Sequence, residues 1–292
     1  MRKTLLSIGL AVASALSATV AIASPLALPA GSPLYIKYDN IEQVSGGNAI
    51  GNTSGSGAVW SEGNWGLLVV STVNVGSVVV SPPHSNILNG FPALYAAGIS
   101  PGFIVGIFYG INFTSGTTAK GGKLDLYWHD TGSFTLNNEL SAGLAGIATK
   151  RTAQNQYTGY TTAGTLLAEL NFVPGVLPGD TTTTVSSTTV PTTGSGSAFS
   201  YQNVNLAAGG LWANQLASSW FQNSDLGAPL SNGPVDIRTQ SDYTLASGWS
   251  DGSIVGLASH DPTRAFTVPE PGSLALVGLA LVGLGALRRK AA

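Results

Sequence analysis

Phe103-Ile104-Val105-Gly106-Ile107-Phe108-Tyr109-Gly110-Ile111-Asn112-Phe113 is the stretch whose reading decides the fold. Isoleucine, valine, phenylalanine and tyrosine fill it, and these stiff or bulky side chains suit a pleated strand better than a helix. Gly106 and Gly110 fall at bend or bulge positions. Just downstream, Lys123-Leu124-Asp125-Leu126-Tyr127-Trp128 alternates apolar and polar residues, as a half-buried strand does. His129-Asp130-Thr131-Gly132 then reads as a turn, with Ser133–Leu136 as its returning strand.

The same pattern extends in both directions. Upstream, Leu34–Tyr38 is a strand candidate closed by an Asp39-Asn40 turn signal, and Gly46–Gly57 is a polar, glycine-rich loop. Trp65–Val70 and Val73–Val80 carry a dense β signal that Ser81-Pro82-Pro83 ends, and Leu94–Ala97 is short and apolar. Downstream, Glu139–Thr158 reads as loop and Thr165–Val173 as strand. Pro178–Ser197 holds Val185 and Val190 among threonine, serine and proline, so it is expected to be a Thr/Ser-rich loop or edge hairpin without a core of its own. Ala198–Val204, Val235–Thr239, Tyr243–Leu245, Ile254–Leu257 and Thr263–Val268 are further short strands. Gly210–Phe221 is the one helix expected, because Trp212, Leu216 and Trp220 recur every four residues. Packed under a sheet, that stripe is core. Many short strands and one short helix predict a mainly β domain, an antiparallel β-sandwich of a kind that includes the jelly roll.

Composition narrows the function classes. The chain has no cysteine, so thiol nucleophiles, zinc–thiolate centres and disulfides are excluded. Of its twelve basic residues seven fall within 24–268, with thirteen of the fourteen acids, for a formal charge of −6 there. A sparsely charged, acidic surface argues against nucleic acid or an anionic membrane surface as partner. The three histidines, His84, His129 and His260, sit in no metal or catalytic motif, and no acid sits in one either. His129 and His260 with Asp125, Asp130 or Asp261 form a conceivable metal set, but ordinary turn residues are the simpler reading. No catalytic residue, cofactor or metal site is therefore assigned, and the protein is expected not to be an enzyme.

The two termini carry an address. Arg2 and Lys3 precede an apolar run through Val20, and Ala21-Ile22-Ala23 is an A-x-A site, so 1–23 reads as a signal helix cleaved before Ser24. At the other end, Pro269-Glu270-Pro271 is followed by an uncharged run, 272–287, and by Arg288-Arg289-Lys290. As a helix those sixteen residues span about 24 Å against a hydrocarbon core of about 30 Å, a short transmembrane helix with a basic stop.

A proline-bracketed glutamate, a short apolar helix and a basic end together resemble the PEP-CTERM protein-sorting tail. The resemblance implies that signal peptidase and then exosortase process the chain. It also implies transient anchoring in the membrane and release to the cell surface or extracellular matrix of a bacterium making exopolysaccharide. Pro269, Glu270 and Pro271 match the motif, and Arg288, Arg289 and Lys290 the basic stop. Leu94-Tyr95-Ala96, Leu124–Asp130, Gly164–Phe172 and His260-Asp261-Pro262 are similar to landmarks of flocculation-associated PEP-CTERM proteins. That likeness implies a structural or adhesive role in a biofilm or floc. The competing class is an exported carbohydrate-binding or carbohydrate-cleaving domain with the same tail, which a deep aromatic cleft with converging carboxylates would favour. On either reading the chain divides into 1–23, a β-rich domain at 24–268 and the sorting tail at 269–292.

Overall fold

A computed structural model describes residues 26–44, 62–81, 84–130, 132–141, 146, 149–188, 195–224, 227–246 and 254–269. The signal segment with Ala21, Ala23 and Ser24, the Gly46–Gly57 stretch, and the tail from Glu270 and Pro271 through Arg288, Arg289 and Lys290 lie outside the described residues.

Eight long strands make the wall: β1 (Pro33–Val44), β2 (Asn64–Val75), β6 (Phe103–Phe113), β7 (Thr118–His129), β10 (Thr165–Val173), β12 (Gly196–Val204), β13 (Ile237–Ala246) and β14 (Ile254–Phe266). Each pairs antiparallel with the next, and β14 pairs with β1, so the sheet closes on itself. The fold is thus an eight-stranded antiparallel barrel, not the sandwich expected from the strand spacing. β1 explains the difference. It hydrogen-bonds along both edges, to β2 and to β14, with register shifts near Tyr38 that let it bend. Strands that read as pairs of short pieces are continuous: Val235–Thr239 with Tyr243–Leu245 becomes most of β13, through a register irregularity between Thr239 and Tyr243.

Inside the wall lies one apolar core. Leu34, Ile36 and Tyr38 of β1 meet Leu68 and Val70 of β2, Ile104 and Phe108 of β6, and Leu124, Leu126 and Trp128 of β7. Outside it, the alternate residues Ile41, Trp65, Leu67, Val105, Ile107 and Tyr109 form a second core with Tyr157 and Tyr160. The covering chain contains α1 (Leu136–Leu140), β8 (Arg151–Ala153) and β9 (Gln156–Tyr157), so Glu139–Thr158 is not loop throughout. Burial on both faces explains why Phe103–Phe113 lacks polar alternation. Phe134, expected on a returning strand, instead packs its ring against Phe103, His129 and Tyr160. A third cluster on the outer face joins Tyr201, Phe221 and Val235 to Ile87.

The connection between β2 and β6 holds a hairpin, β3 (Ser77–Ser81) with β4 (His84–Leu88), and then β5 (Ala93–Ala96), which adds to the end of β2. The Thr/Ser-rich stretch is also more than loop. Its β11 (Val185–Ser187) bridges Thr118–Ala119 of β7 and Ala198–Ser200 of β12, filling the wall where β10 does not reach. Thr183 and Thr184 are buried, and the Thr184 hydroxyl donates to the Gly121 carbonyl at 2.6 Å. The predicted helix shrinks to α2 (Ala213–Leu216). Trp212 and Leu216 enter the inner core as its plug, while Trp220 leaves the stripe and stacks on Phe266 at 3.8 Å.

Gly110 sits beside a register shift between β2 and β6 with φ +70, as its position suggested, whereas Gly106 lies in regular ladder. Gly66 is required by contact: a Cβ there would lie 2.3 Å from both the Ile41 carbonyl and the Phe108 ring.

Candidate functional site

The chain leaves the barrel at the end of β14. Thr267 is fully buried there, its N–H donating to Ser32 at 2.9 Å and its hydroxyl accepting from the Ser32 N–H at 2.8 Å. Val268 donates to the Gln215 carbonyl at 2.7 Å and accepts from Gly31 at 3.2 Å. Pro269 is the first exposed residue after this clamp. Proline has no N–H and a fixed φ, so it cannot lengthen β14 by another rung. The lead-in 26–32 and the exit of the tail are therefore one junction, tied to the plug through the Trp212 indole N–H, which donates to the Leu26 carbonyl at 2.7 Å.

A groove crosses the outer face of β6, β7 and β10, lined by Tyr109, Lys123, Gln154, Asn155, Glu169 and Asn171. Two carboxylates meet beneath it, because Asp125 and Glu169 stand opposite each other across the β7–β10 ladder. Leu124 and Leu126 point inward, which turns Asp125 outward. Asp125 is 1% exposed. It accepts from Asn155 Nδ2 at 3.2 Å, with the Tyr109 and Tyr127 hydroxyls farther away at 3.4 and 3.5 Å. Burial pushes its carboxyl up to about 6, helped by the charge of Glu169 and opposed by the Asn155 bond. Burial would raise Glu169 too, but bonds from Lys123 at 2.8 Å and Asn205 at 2.7 Å outweigh it and hold Glu169 below the usual range. Burial, reinforced by Asp125, raises Tyr127 to about 12.

Beside the groove, a buried ion pair braces the covering chain. Glu62 and Arg151, both fully buried, meet at 2.6 Å, and Arg151 lies over the Trp65 ring at 4.1 Å. Glu62 also accepts from the Gly110 N–H at 2.6 Å, at the register shift between β2 and β6. Breaking such a pair leaves a buried charge uncompensated, so the arrangement is architectural.

The third feature is a cavity of about 100 Å³ inside the barrel at the end away from the tail, lined by Glu42, Asn64, Gln202, Thr239 and Tyr243 among others. Burial raises the Glu42 carboxyl, and an Asn64 Nδ2 donor at 3.0 Å lowers it less. The side-chain carbonyls of Asn40 and Asn64 have no protein partner among the described residues. Leu68, Phe108, Ile111 and Leu124 share the lining, and at this size the space falls short of small-molecule pockets, which run to about 300–1,000 Å³.

Of the residues singled out in the sequence, Pro269 is at the junction described above. His129 bonds the Tyr160 carbonyl through Nε2 at 2.6 Å and packs on Phe134. Among the described residues no cluster of metal-ligating side chains occurs; the side chains of His84 and His260 lie outside them. Sequence reasoning missed the Asp125–Glu169 pair. The only available signal was an acid between two leucines in an alternating strand, which shows its face but not its partner.

The family model for the PEP-CTERM protein-sorting motif matches residues 267–290. No curated protein and no solved structure matches the chain. The chain thus carries a PEP-CTERM sorting signal, which makes it an exported exosortase substrate, anchored transiently in the membrane before processing. The match begins at Thr267, inside the clamp.

Proposed function

We propose that the exported barrel is a non-enzymatic structural or adhesive protein of an exopolysaccharide matrix, in a biofilm or floc, and that it holds hydroxyl-rich polymer in the groove over Glu169. The groove carries the reading. Amides of Gln154, Asn155 and Asn171, the Glu169 carboxylate and the Tyr109 and Phe172 rings line one open surface. Amides and a carboxylate exchange hydrogen bonds with sugar hydroxyls, and rings lie against apolar sugar faces. Cell surface and matrix are both compatible destinations after tail processing.

Retention of the full chain in gels cast with purified exopolysaccharide tests this reading. Replacing Gln154→Ala together with Asn171→Ala removes two neutral hydrogen-bonding groups, and affinity should fall about tenfold. Wild type that migrates unretarded, or a double variant retained as well as wild type, would discard the groove as the binding site.

The carbohydrate-cleaving alternative has one observation in its favour. Two adjacent carboxyls with pKa values pushed apart are the usual signature of an acid and base assignment. Against it, Asp125 is almost fully buried beneath Tyr109, Tyr127 and Asn155, and an acid must come within hydrogen-bond reach of the glycosidic oxygen. Incubation with the polymer should release no new reducing ends. Release that disappears in Glu169→Gln would favour the hydrolase.

A further inference from the structure

We propose that the barrel end from which the tail leaves is a membrane-docking face, seated by apolar side chains in the outer interface of the bilayer while the tail is inserted. The inference rests on the sorting motif and not on polysaccharide binding. Its first support is reach. Val268 is fixed to Gln215 and Gly31, and only Pro269, Glu270 and Pro271 precede the apolar run that begins at Gly272. Extended chain covers at most about 3.6 Å per residue, so the clamp lies within roughly 15 Å of the start of that run.

The second support is where exposed hydrophobic side chains occur. Among the described residues they are Val78, Val79, Leu88, Phe91, Ile99, Leu206 and Leu211, with Phe91 90% and Ile99 86% exposed. All belong to the β2–β6 and β12–β13 connections. Val75, Phe103, Val204 and Ile237, which bound those connections, lie at the same end of the wall as Phe266. The ladders set this: Leu34 pairs with Val75 and Ala265, and Ile237 pairs with Ala265 and Gln202. At the opposite end the described β6–β7 turn is Thr114-Ser115-Gly116-Thr117.

The third support is charge. No Asp, Glu, Lys or Arg occurs from Gly63 to Ala119 or from Asn205 to Ser224. The β2–β6 connection and the Asn205–Ser224 part of the β12–β13 connection can therefore approach lipid headgroups without stripping water from a charge; the rest of the latter carries only Asp225 and the buried Asp236. Because both connections also lack basic residues, the partner is the apolar boundary of the bilayer and not anionic headgroups, whose recognition requires lysine or arginine clusters.

The absence of cysteine makes the test clean. The full chain is reconstituted into phosphatidylcholine vesicles carrying nitroxide-labelled lipid, with a fluorophore on a single substitution: Phe91→Cys, Ile99→Cys, Ser115→Cys or Gly272→Cys. The dye at 272 should be quenched as the mark of an inserted tail, and those at 91 and 99 should lose most of their emission. The dye at 115 should keep its emission, and added salt should change none of this. Unquenched dyes at 91 and 99, equal quenching at 115, or an unquenched dye at 272 would overturn the proposal. Quenching at 91 and 99 that needs added exosortase would overturn it too, by making the face a protein contact.

Discussion

At the end that releases the tail, Trp212, Leu216, Leu28 and Tyr95 close the bore with rings and aliphatic carbon. At the other end, Glu42, Asn64, Gln202 and Thr239 surround a cavity. The same wall thus finishes one end as packed core and the other as a cavity, where those polar groups share the lining with Leu68, Phe108, Ile111 and Leu124 of the core. An apolar plug derives its stability from area and shape, so it fixes whatever is tied to it. Here it is tied to the lead-in and to Thr267 and Val268. The cavity end gains less from packing, because its side chains leave space between them, and it holds the Glu42 carboxyl. The difference suits a protein whose exit strand must stay in place while a membrane enzyme works on the next few residues.

The largest expected effect tests the plug. Trp212→Ala removes a side chain 1% exposed, and urea unfolding should show a loss of about 3–5 kcal/mol. A loss under about 1 kcal/mol would mean that the two ends do not differ in packing. Next comes the cavity end. Deleting Asp180–Gly194 removes β11, the Thr184 bond to Gly121 and the Val185 contact with the core. The cost should be about 2–4 kcal/mol, well above what a change in loop length brings. Unchanged stability would return the stretch to the status of a dispensable loop.

The smallest effect concerns Glu42. Its raised carboxyl keeps the proton longer in the folded state than in the unfolded one. That contribution is fully present below the ordinary glutamate range and is lost as pH rises through the folded value. Unfolding measured across this window should show Glu42→Gln with a flatter pH dependence than wild type. Parallel curves would show that the cavity carboxyl does not sense burial.

How much of this was legible depends on whether the determining contacts are local. Phe103–Phe113 and Thr165–Val173 coincide with β6 and β10 because their β preference is written in consecutive side chains. The stripe of Trp212 and Leu216 was readable as core, though its place as a barrel plug was not. Closure was hidden, since it depends on β1 pairing with a strand more than two hundred residues away. Gln240-Ser241-Asp242 read as a break between strands, yet Ser241 lines the cavity within a continuous β13. The sorting motif was fully readable because it is a linear signal. The Asp125–Glu169 pair was not, because register across a ladder joins residues that sequence keeps apart.

The clamped exit of β14 has a mechanical side. Tension on an anchored tail acts along the axis of that strand, which is hydrogen-bonded to β1 on one edge and β13 on the other. A force along the strand loads both ladders in shear, so their bonds resist together instead of opening singly like a zipper. Pulled by its membrane anchor, the barrel meets the load with a strand held along both edges.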